Sequence, residues 1–332
     1  MAPPLLLTGA GFTCNFGGFL ADGMFAMIQT YVRGHRVLLD RLKQSRDYEY
    51  VYGGVVFGGL GGKDERELLL AAMKDAYSRL DAVVRYASHN RQVGVDYTAL
   101  RQFIARFSGT RGSRERGYFF TLNQDLFVER HLGIAAGDTP LHLHGQLPPP
   151  LLHQQPEREL TPTDCVVLSS DSDHYRRADE QSSTSFHYVK LHGSFNWQTS
   201  DGALMVVGQA KEELIAKVPI LQYNLETFER ELYKPRRRLC VIGYGFRDRH
   251  INARIARALE HHDLQLFVIS PQSIEDLRQS FYGPKGSHQG HFIWPRLIHW
   301  PVSLSQLFPV SSPGTRNEWA KVIDAAVFGG DA

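Results

Sequence analysis

Short runs of apolar residues recur along the chain, and glycine or polar residues follow most of them. Such runs are too brief for helices and predict buried strands. In the second half of the chain they alternate with helical patterns, at residues 225–232 and at the apolar positions Ile251, Ile255, Ala258 and Leu259. This alternation predicts an α/β fold with a doubly wound parallel sheet. The predicted strands are Leu5-Leu6-Leu7 and residues 118–122, 186–191, 204–207, 239–242 and 264–269.

Two segments interrupt the alternation of strands and helices. The region from about residue 20 to residue 110 is rich in helical patterns and predicts a helical insertion. Residues 137–163 contain six prolines and follow no period, which predicts a long irregular surface segment. A chain of 332 residues is long enough for one large α/β domain. We therefore predict a single domain over residues 1–332.

The clearest helix of the insertion covers residues 64–87. Its apolar residues recur at spacings of three and four, which places them on one helical face. Glycine clusters at residues 53–54 and 58–62 interrupt the insertion. Because glycine weakens helices and strands, both clusters are predicted to be loops.

Candidate chemistry follows the first two predicted strands. Gly9-Ala10-Gly11 predicts a tight turn, which could bring backbone amides close to an anion or could serve only as a turn. Asn123 and Asp125 are two residues apart, so in an extended segment both side chains project to the same side. An amide and a carboxyl placed this way could act on a ligand, or one could cap a helix while the other closes a turn.

A histidine precedes a glycine at two places after Asn123, at His144 and at His192. His192 ends a well-defined predicted strand, whereas His144 precedes the proline-rich segment. The position at a strand end therefore makes His192 the stronger candidate for a ligand-facing residue.

A second glycine turn follows the predicted strand at residues 239–242. It reads Gly243-Tyr244-Gly245 and leads into a predicted helix, for which Asp248 is the expected N-cap. A plain strand–turn–helix connection explains the glycines and the aspartate, but it does not require His250 or Asn252. The turn is therefore a second candidate binding loop, with Gly245 as the glycine that a ligand approaches closely.

Charge and cysteine content exclude several classes of protein. The net charge of +2 shows no concentrated basic excess, and the basic run at residues 234–238 is better explained as a solvated face or a helix end, so direct nucleic-acid binding is not expected. The three cysteines, Cys14, Cys165 and Cys240, are too scattered for disulfides or a tetrathiolate zinc site, so no metal is expected. With no signal peptide or membrane span in the sequence, we expect a cytoplasmic protein.

In their order and residues these segments resemble the sirtuin superfamily, particularly the bacterial sirtuin-like effectors that cleave NAD in antiphage defence. The run Lys190-Leu191-His192-Gly193-Ser194-Phe195-Asn196-Trp197 and the turn at residues 243–252 are the closest matches to those effectors. The resemblance implies a sirtuin-like Rossmann fold with NAD as substrate. It does not extend to the Phe-Arg pair of the first sirtuin loop, since residues 15–19 contain no arginine.

The resemblance also implies roles for individual residues. Asn123 would orient a water or the ribose hydroxyls, and Asp125 would hold the nicotinamide carboxamide. The motif around His192 implies that it is the catalytic base, whereas the short spacing between the Asn and the base in compact sirtuins favours His144. Phe16 or Phe19 would cover the nicotinamide ring. The element Asp47-Tyr48-Glu49-Tyr50 has a counterpart in this branch, with no role that the sequence reveals. The expected NAD-binding residues are Gly9, Ala10, Gly11, Phe12, Thr13, Phe16, Gly243, Tyr244, Gly245, Phe246, Asp248, His250 and Ser270.

The resemblance finally implies an activity and partners. Protein-deacylating sirtuins carry a four-cysteine zinc ribbon that these cysteines cannot supply, so we expect NAD hydrolysis by water to nicotinamide and ADP-ribose. A deacylase or ADP-ribosyltransferase with the same site, or a non-catalytic NAD or ADP-ribose sensor, remains an alternative. Members of this branch form homo-oligomers and sometimes act with a HerA-family DNA-translocating ATPase.

Overall fold

The computed structural model describes residues 2–87, 94–109, 115–133, 151–182, 184–200, 204–206, 215, 217–282, 288–310 and 318–329. Six strands form one sheet in the order β4-β2-β1-β7-β8-β9, and every neighbouring pair in it is parallel. The predicted doubly wound parallel sheet is therefore confirmed. Its strands are β1 (Leu5–Thr8), β2 (Gly117–Thr121), β4 (Phe186–Lys190), β7 (Arg238–Ile242), β8 (Gln265–Ile269) and β9 (Leu297–Trp300).

Helices cover both faces of this sheet because side chains alternate along each strand. Leu6, Phe119 and Cys240 belong to one apolar cluster, while Leu5, Leu7 and neighbours of the opposite parity belong to another. The first cluster is completed by α1 (Ala10–Cys14), α2 (Ala21–Tyr31), α3 (Arg36–Ser45), α4 (Tyr48–Val56), α5 (Lys63–Arg85), α6 (Tyr97–Ala105), and, near the C-terminus, α12 (Leu304–Leu307) and α13 (Glu318–Phe328). The second is completed by α7 (Ser172–Gln181), α8 (Pro219–Leu232), α9 (Arg249–His261), α10 (Ile274–Tyr282) and α11 (Gln289–Ile293).

The segment between β1 and β2 is helical in the part that the structure describes, and α5 is the helix expected at residues 64–87. The prediction of a loop at Gly53 and Gly54 is wrong, because both lie inside α4. Asp47 caps that helix by accepting a hydrogen bond from the amide of Tyr50, and its apolar side chains are buried. Burial of this face outweighs the helix penalty of about 1 kcal/mol per glycine. The glycines at 58–62 do lie in a loop.

The structure contains a second, smaller sheet that the sequence predicted only in part. β3 (Val166–Val167), β5 (Gly193–Gln198) and β6 (Leu204–Val206) form a three-stranded sheet in the order β3-β5-β6. Of these three strands, only β6 was predicted. In the main sheet, β9 was not predicted. The sequence of β5, Gly-Ser-Phe-Asn-Trp-Gln, lacks an apolar run because Ser194 and Asn196 are buried and bonded to each other.

The described part of the proline-rich segment contains short turns and contacts with the core. Residues 134–150 lie outside the described residues, but 151–154 and 162–164 form short 3₁₀ turns. Arg130, in a π-helical turn at Val128–Leu132, donates to the carbonyls of Pro156 and Arg158 and forms a two-pronged ion pair with Asp81 of α5. A fully buried guanidinium thus ties this part of the segment to the core. Between the two turns, residues 155–161 form no helix or strand, and residues 153–163 are exposed or half-buried.

The basic run at residues 234–238 lies between α8, which ends at Leu232, and β7, which begins at Arg238, so it follows a helix end and precedes a strand as expected. It is not a solvated face throughout, because Arg237 is buried and paired with Glu231. Lys234 bonds the same carboxylate. Within the described residues, no helix combines the length and hydropathy that a membrane crossing requires.

The two glycine turns pack against each other at the centre of the sheet. β1 and β7 are neighbours whose following helices lie on opposite faces, which opens a crevice beyond their carboxyl ends. The amide of Gly9 bonds the carbonyl of Ile242 at 3.1 Å, and the amide of Gly11 bonds the carbonyl of Gly243 at 2.9 Å. Gly243 has φ of +65°, and an added Cβ would collide with the backbone of Gly11 and Phe12. The crevice therefore depends on glycine at this position.

We predict that Gly243→Ala lowers the free energy of unfolding by at least about 2 kcal/mol, because it adds both backbone strain and a clash with backbone that cannot move aside. Gly245→Ala is the matched control, since a Cβ there meets no atom within 4 Å. Urea denaturation of both variants is the measurement. Equal stability of the two variants would contradict the prediction.

Candidate functional site

A cavity of about 630 Å³ lies beyond the carboxyl ends of the main sheet. Every wall comes from a segment that follows a strand or from the helices between β1 and β2. Parallel strands direct their following loops to the same edge, so residues far apart in sequence meet there. The expected site residues that line it are Gly9, Ala10, Gly11, Asn123, Asp125, His192, Gly243, Tyr244, Gly245, Asp248 and Ser270.

Asn123 connects the loop after β2 to the loop after β1. Its side-chain amide donates to the carbonyl of Gly9 at 3.1 Å and to the hydroxyl of Thr13 at 3.0 Å. Thr13 also bonds the carboxyl of Asp125, and this bond acts to lower the pKa of that carboxyl. The side chains of Asn123 and Asp125 thus both turn toward Thr13, and both residues line the cavity.

Asp125 lies above a buried cluster of charges. Lys190, at the end of β4, donates to the backbone carbonyl of Asp125 at 2.6 Å and to the carboxylate of Glu129 at 2.7 Å. The hydroxyl of Tyr188 reaches the same carboxylate. Burial raises the pKa of the Asp125 carboxyl, while the positive charge of Lys190 and the amide of Phe127 oppose that rise. The carboxyl therefore retains a proton to higher pH than an exposed aspartate does.

His192 forms a close pair with His250. Their Nε2 atoms are 3.1 Å apart, and both rings are buried. At that separation one nitrogen must accept while the other donates, so only one proton can lie between the rings. A carboxylate oxygen of Asp248 lies within 4.8 Å of both. Asp248 occupies the N-cap position of α9, as expected, but its side chain makes no capping bond to the helix.

The helical segment supplies residues that sequence reasoning did not assign to the site. Glu49 lines the cavity, and its carboxylate accepts from the amide of Gln124 and from the hydroxyl of Tyr48, both at 3.4 Å. Tyr77 donates to Gln124 at 3.3 Å, and burial raises the pKa of both tyrosines. In the Asp-Tyr-Glu-Tyr element, Asp47 caps α4, and Asp47, Tyr48 and Glu49 all line the cavity. The sequence signal for Glu49 was this element itself.

Five expected NAD-binding residues do not line the cavity. The rings of Phe12, Phe16 and Phe246 are fully buried in the apolar clusters, with Phe16 stacked on Phe127 at a centroid distance of 4.2 Å. Thr13 accepts a hydrogen bond from the cavity residue Asn123, and His250 pairs with the cavity residue His192. Apolar residues next to a glycine turn can face either the ligand or the core, and here the short helix α1 directs them inward. Phe19, the alternative named for the nicotinamide ring, does line the cavity.

The first glycine turn differs from a simple phosphate cradle. The amide of Gly9 is bonded to the end of β7 and that of Gly11 to the second turn, while the amide of Phe12 is bonded to the carbonyl of Gly9. Positive charge reaches the cavity from side chains instead, through the exposed residues Arg46 and Arg247. His144, the other candidate base, lies outside the described residues.

Asp125→Asn should reveal the raised pKa of this carboxyl. Because the folded state holds the Asp125 proton more tightly than the unfolded chain does, the stability of the wild-type protein should fall relative to the variant as the pH rises from about 4 through the raised pKa. The difference in free energy of unfolding, measured with urea at several pH values between about 4 and 7, gives the sign. A wild-type protein that gains stability relative to the variant over this range would contradict the assignment.

Comparison with known proteins identifies the family. The model of the SIR2-like domain family matches residues 118–283, which is half of the chain. The match includes Asn123, Asp125, His192, the second glycine turn and Ser270, and it begins after the first glycine turn. No curated protein sequence matches the chain significantly. With the parallel sheet and the cavity at its carboxyl edge, this match shows that the chain belongs to the SIR2-like domain family, whose members often are NAD-dependent enzymes.

Proposed function

We propose that the protein hydrolyses NAD at the bond between nicotinamide and ribose, giving nicotinamide and ADP-ribose. The observation that carries this proposal is that an amide and a carboxyl from the loop after β2, Asn123 and Asp125, line one cavity with a histidine that follows β4, His192. The cavity size lies within the range typical of small-molecule sites.

The chemistry needs each of these groups. When the bond between nicotinamide and ribose breaks, its electron pair moves to the pyridinium nitrogen, and neutral nicotinamide leaves behind a ribose with oxocarbenium character. The Asp125 carboxyl would hold the carboxamide of the leaving group, and the Asn123 amide would position the attacking water or the ribose hydroxyls. Water then bonds to the anomeric carbon, and its proton passes to the Nε2 of His192.

Cationic side chains at the cavity suit the remainder of NAD. Its pyrophosphate carries negative charge, and the exposed residues Arg46 and Arg247 both line the cavity. Guanidinium groups bind phosphate oxygens with two parallel hydrogen bonds. Tyr244 and Ser270 line the wall formed by β7 and β8, where the sirtuin resemblance expects the adenosine half.

Asn123→Ala should lower kcat/KM for NAD cleavage by on the order of 100-fold or more, because it removes a group that acts in the transition state. The variant also leaves the carbonyl of Gly9 without its amide partner, and we expect a stability loss of about 1–3 kcal/mol. Nicotinamide release is the measurement. Wild-type turnover by the folded variant would exclude this residue from catalysis.

Asn196→Ala is the matched control for the stability effect. The buried amide of Asn196 donates to the carbonyl of Asp164 at 2.9 Å, and Asn196 does not line the cavity. This variant should lose comparable stability and keep its turnover. A wild-type protein that binds NAD stoichiometrically without releasing nicotinamide would instead be a sensor, and consumption of an acylated peptide in step with NAD would indicate a deacylase.

The sirtuin-like resemblance supports a wider proposal for the role in the cell. We propose that the protein is a homo-oligomeric effector of bacterial antiphage defence, which depletes NAD in the cytoplasm together with a HerA-family ATPase. An unrestrained enzyme of this kind would drain the NAD of its own host, so its activity must be coupled to assembly or to a trigger.

Specific NAD hydrolysis should therefore fall on dilution, in step with the mass measured by light scattering, and it should rise when the candidate ATPase is added. If assembly raises the population of the competent state, turnover per subunit follows the assembled fraction. A monomer that is as fast as the largest assembly would contradict this coupling.

A further inference from the structure

The histidine pair beside the cavity has the dimensions of a metal chelate. Metal–nitrogen bonds to histidine are about 2.0–2.1 Å long, so two Nε2 atoms 3.1 Å apart would subtend an angle of about 98° at a shared ion. That angle is close to those of tetrahedral and octahedral sites. A carboxylate oxygen of Asp248 lies within 4.8 Å of both nitrogens, so three groups of the types that bind metals lie close together.

The surrounding structure holds these three residues in place. His192 follows β4 and is succeeded by Gly193 at φ of +81°, which turns the chain directly into β5. Asp248 and His250 begin α9, where the hydroxyl of Tyr244 bonds both the amide and the carbonyl of Asp248. Arg254 donates to the carbonyl of His250. Both imidazoles are more than nine-tenths buried, unlike surface histidines that bind metals by chance.

We propose that His192, Asp248 and His250 form a binding site for a divalent transition-metal ion such as Zn²⁺. Two imidazoles and one carboxylate favour such ions over Mg²⁺ and Ca²⁺, which prefer oxygen ligands. His192 and Asp248 line the cavity, so the remaining coordination positions face it. The expectation that the protein lacks a metal site rests on its cysteines, and none of these three residues is a cysteine.

The ion would regulate the activity rather than supply it. Coordination uses the lone pair on the Nε2 of His192, and the same lone pair must accept the proton of the attacking water. A metal-bound protein should therefore be inactive, and removal of the metal should restore hydrolysis. This consequence rests on the proposed NAD hydrolysis, whereas the binding of the metal does not.

Titration with Co²⁺ tests the site without reference to catalysis. We expect one equivalent to bind with visible absorption bands typical of a low-symmetry nitrogen–oxygen site, and an excess of Zn²⁺ to displace it while Mg²⁺ does not. Asp248→Asn and His250→Gln should each weaken binding by at least about 10-fold. His261→Gln is the matched control, because His261 is an exposed imidazole at the other end of the same helix.

The outcomes separate the alternatives. Loss of binding in Asp248→Asn with retention in His261→Gln supports the site, and the near-isosteric Asp248→Asn guards against misfolding of the histidine variant. Co²⁺ binding that is unchanged by Asp248→Asn and His250→Gln, or no stoichiometric binding, would overturn the proposal and leave a hydrogen-bonded histidine pair.

Zn²⁺ at one equivalent should also abolish nicotinamide release, with recovery after chelation. Full hydrolysis by the zinc-loaded protein would overturn the regulatory role, whereas absence of hydrolysis in the metal-free protein would count against the proposed function alone.

Discussion

The direct packing of two glycine turns, backbone against backbone, is the contact on which the rest of the site depends. A side chain at Gly9, Gly11 or Gly243 would fill the space that the opposite turn occupies. Because the turns touch, β1 and β7 remain paired up to their carboxyl ends, and their following segments diverge to opposite faces of the sheet. The cavity is the opening that this divergence creates, and its walls come from the segments that the strands direct there.

Beneath the cavity, buried charges hold the polar residues in place. Lys190 links the loop after β2 to the end of β4 by bonding both the carbonyl of Asp125 and the carboxylate of Glu129. Groups buried this deeply are stable only when they are paired, so the network favours one arrangement of the two strand ends. The same burial raises the pKa of Asp125. Burial is thus the common cause of the rigid arrangement at this edge of the sheet and of the higher proton affinity of Asp125.

Much of the fold was predictable because strands of the main sheet carry continuous apolar runs and are followed by glycine or polar residues. The strands that escaped prediction lack that signal. β5 buries Ser194 and Asn196 by bonding one to the other, and β9 has only four residues, of which Trp300 alone is buried. The helix through Gly53 and Gly54 was not predicted for the opposite reason. Burial of most of its tyrosines and valines outweighs the low helix propensity of the two glycines, which the sequence shows directly.

By itself, the sequence determined the parallel α/β architecture and the strand ends at which chemistry could lie, because both follow from local patterns of apolar runs and turns. Only the tertiary structure decided which side chains meet. Phe12 and Phe16 adjoin a ligand-type turn in sequence yet face the core, whereas Glu49 and the partner of His192, His250, come from distant segments. The direction of a side chain and its distance from residues far along the chain depend on how helices pack on the sheet, and a linear pattern carries no information about that packing.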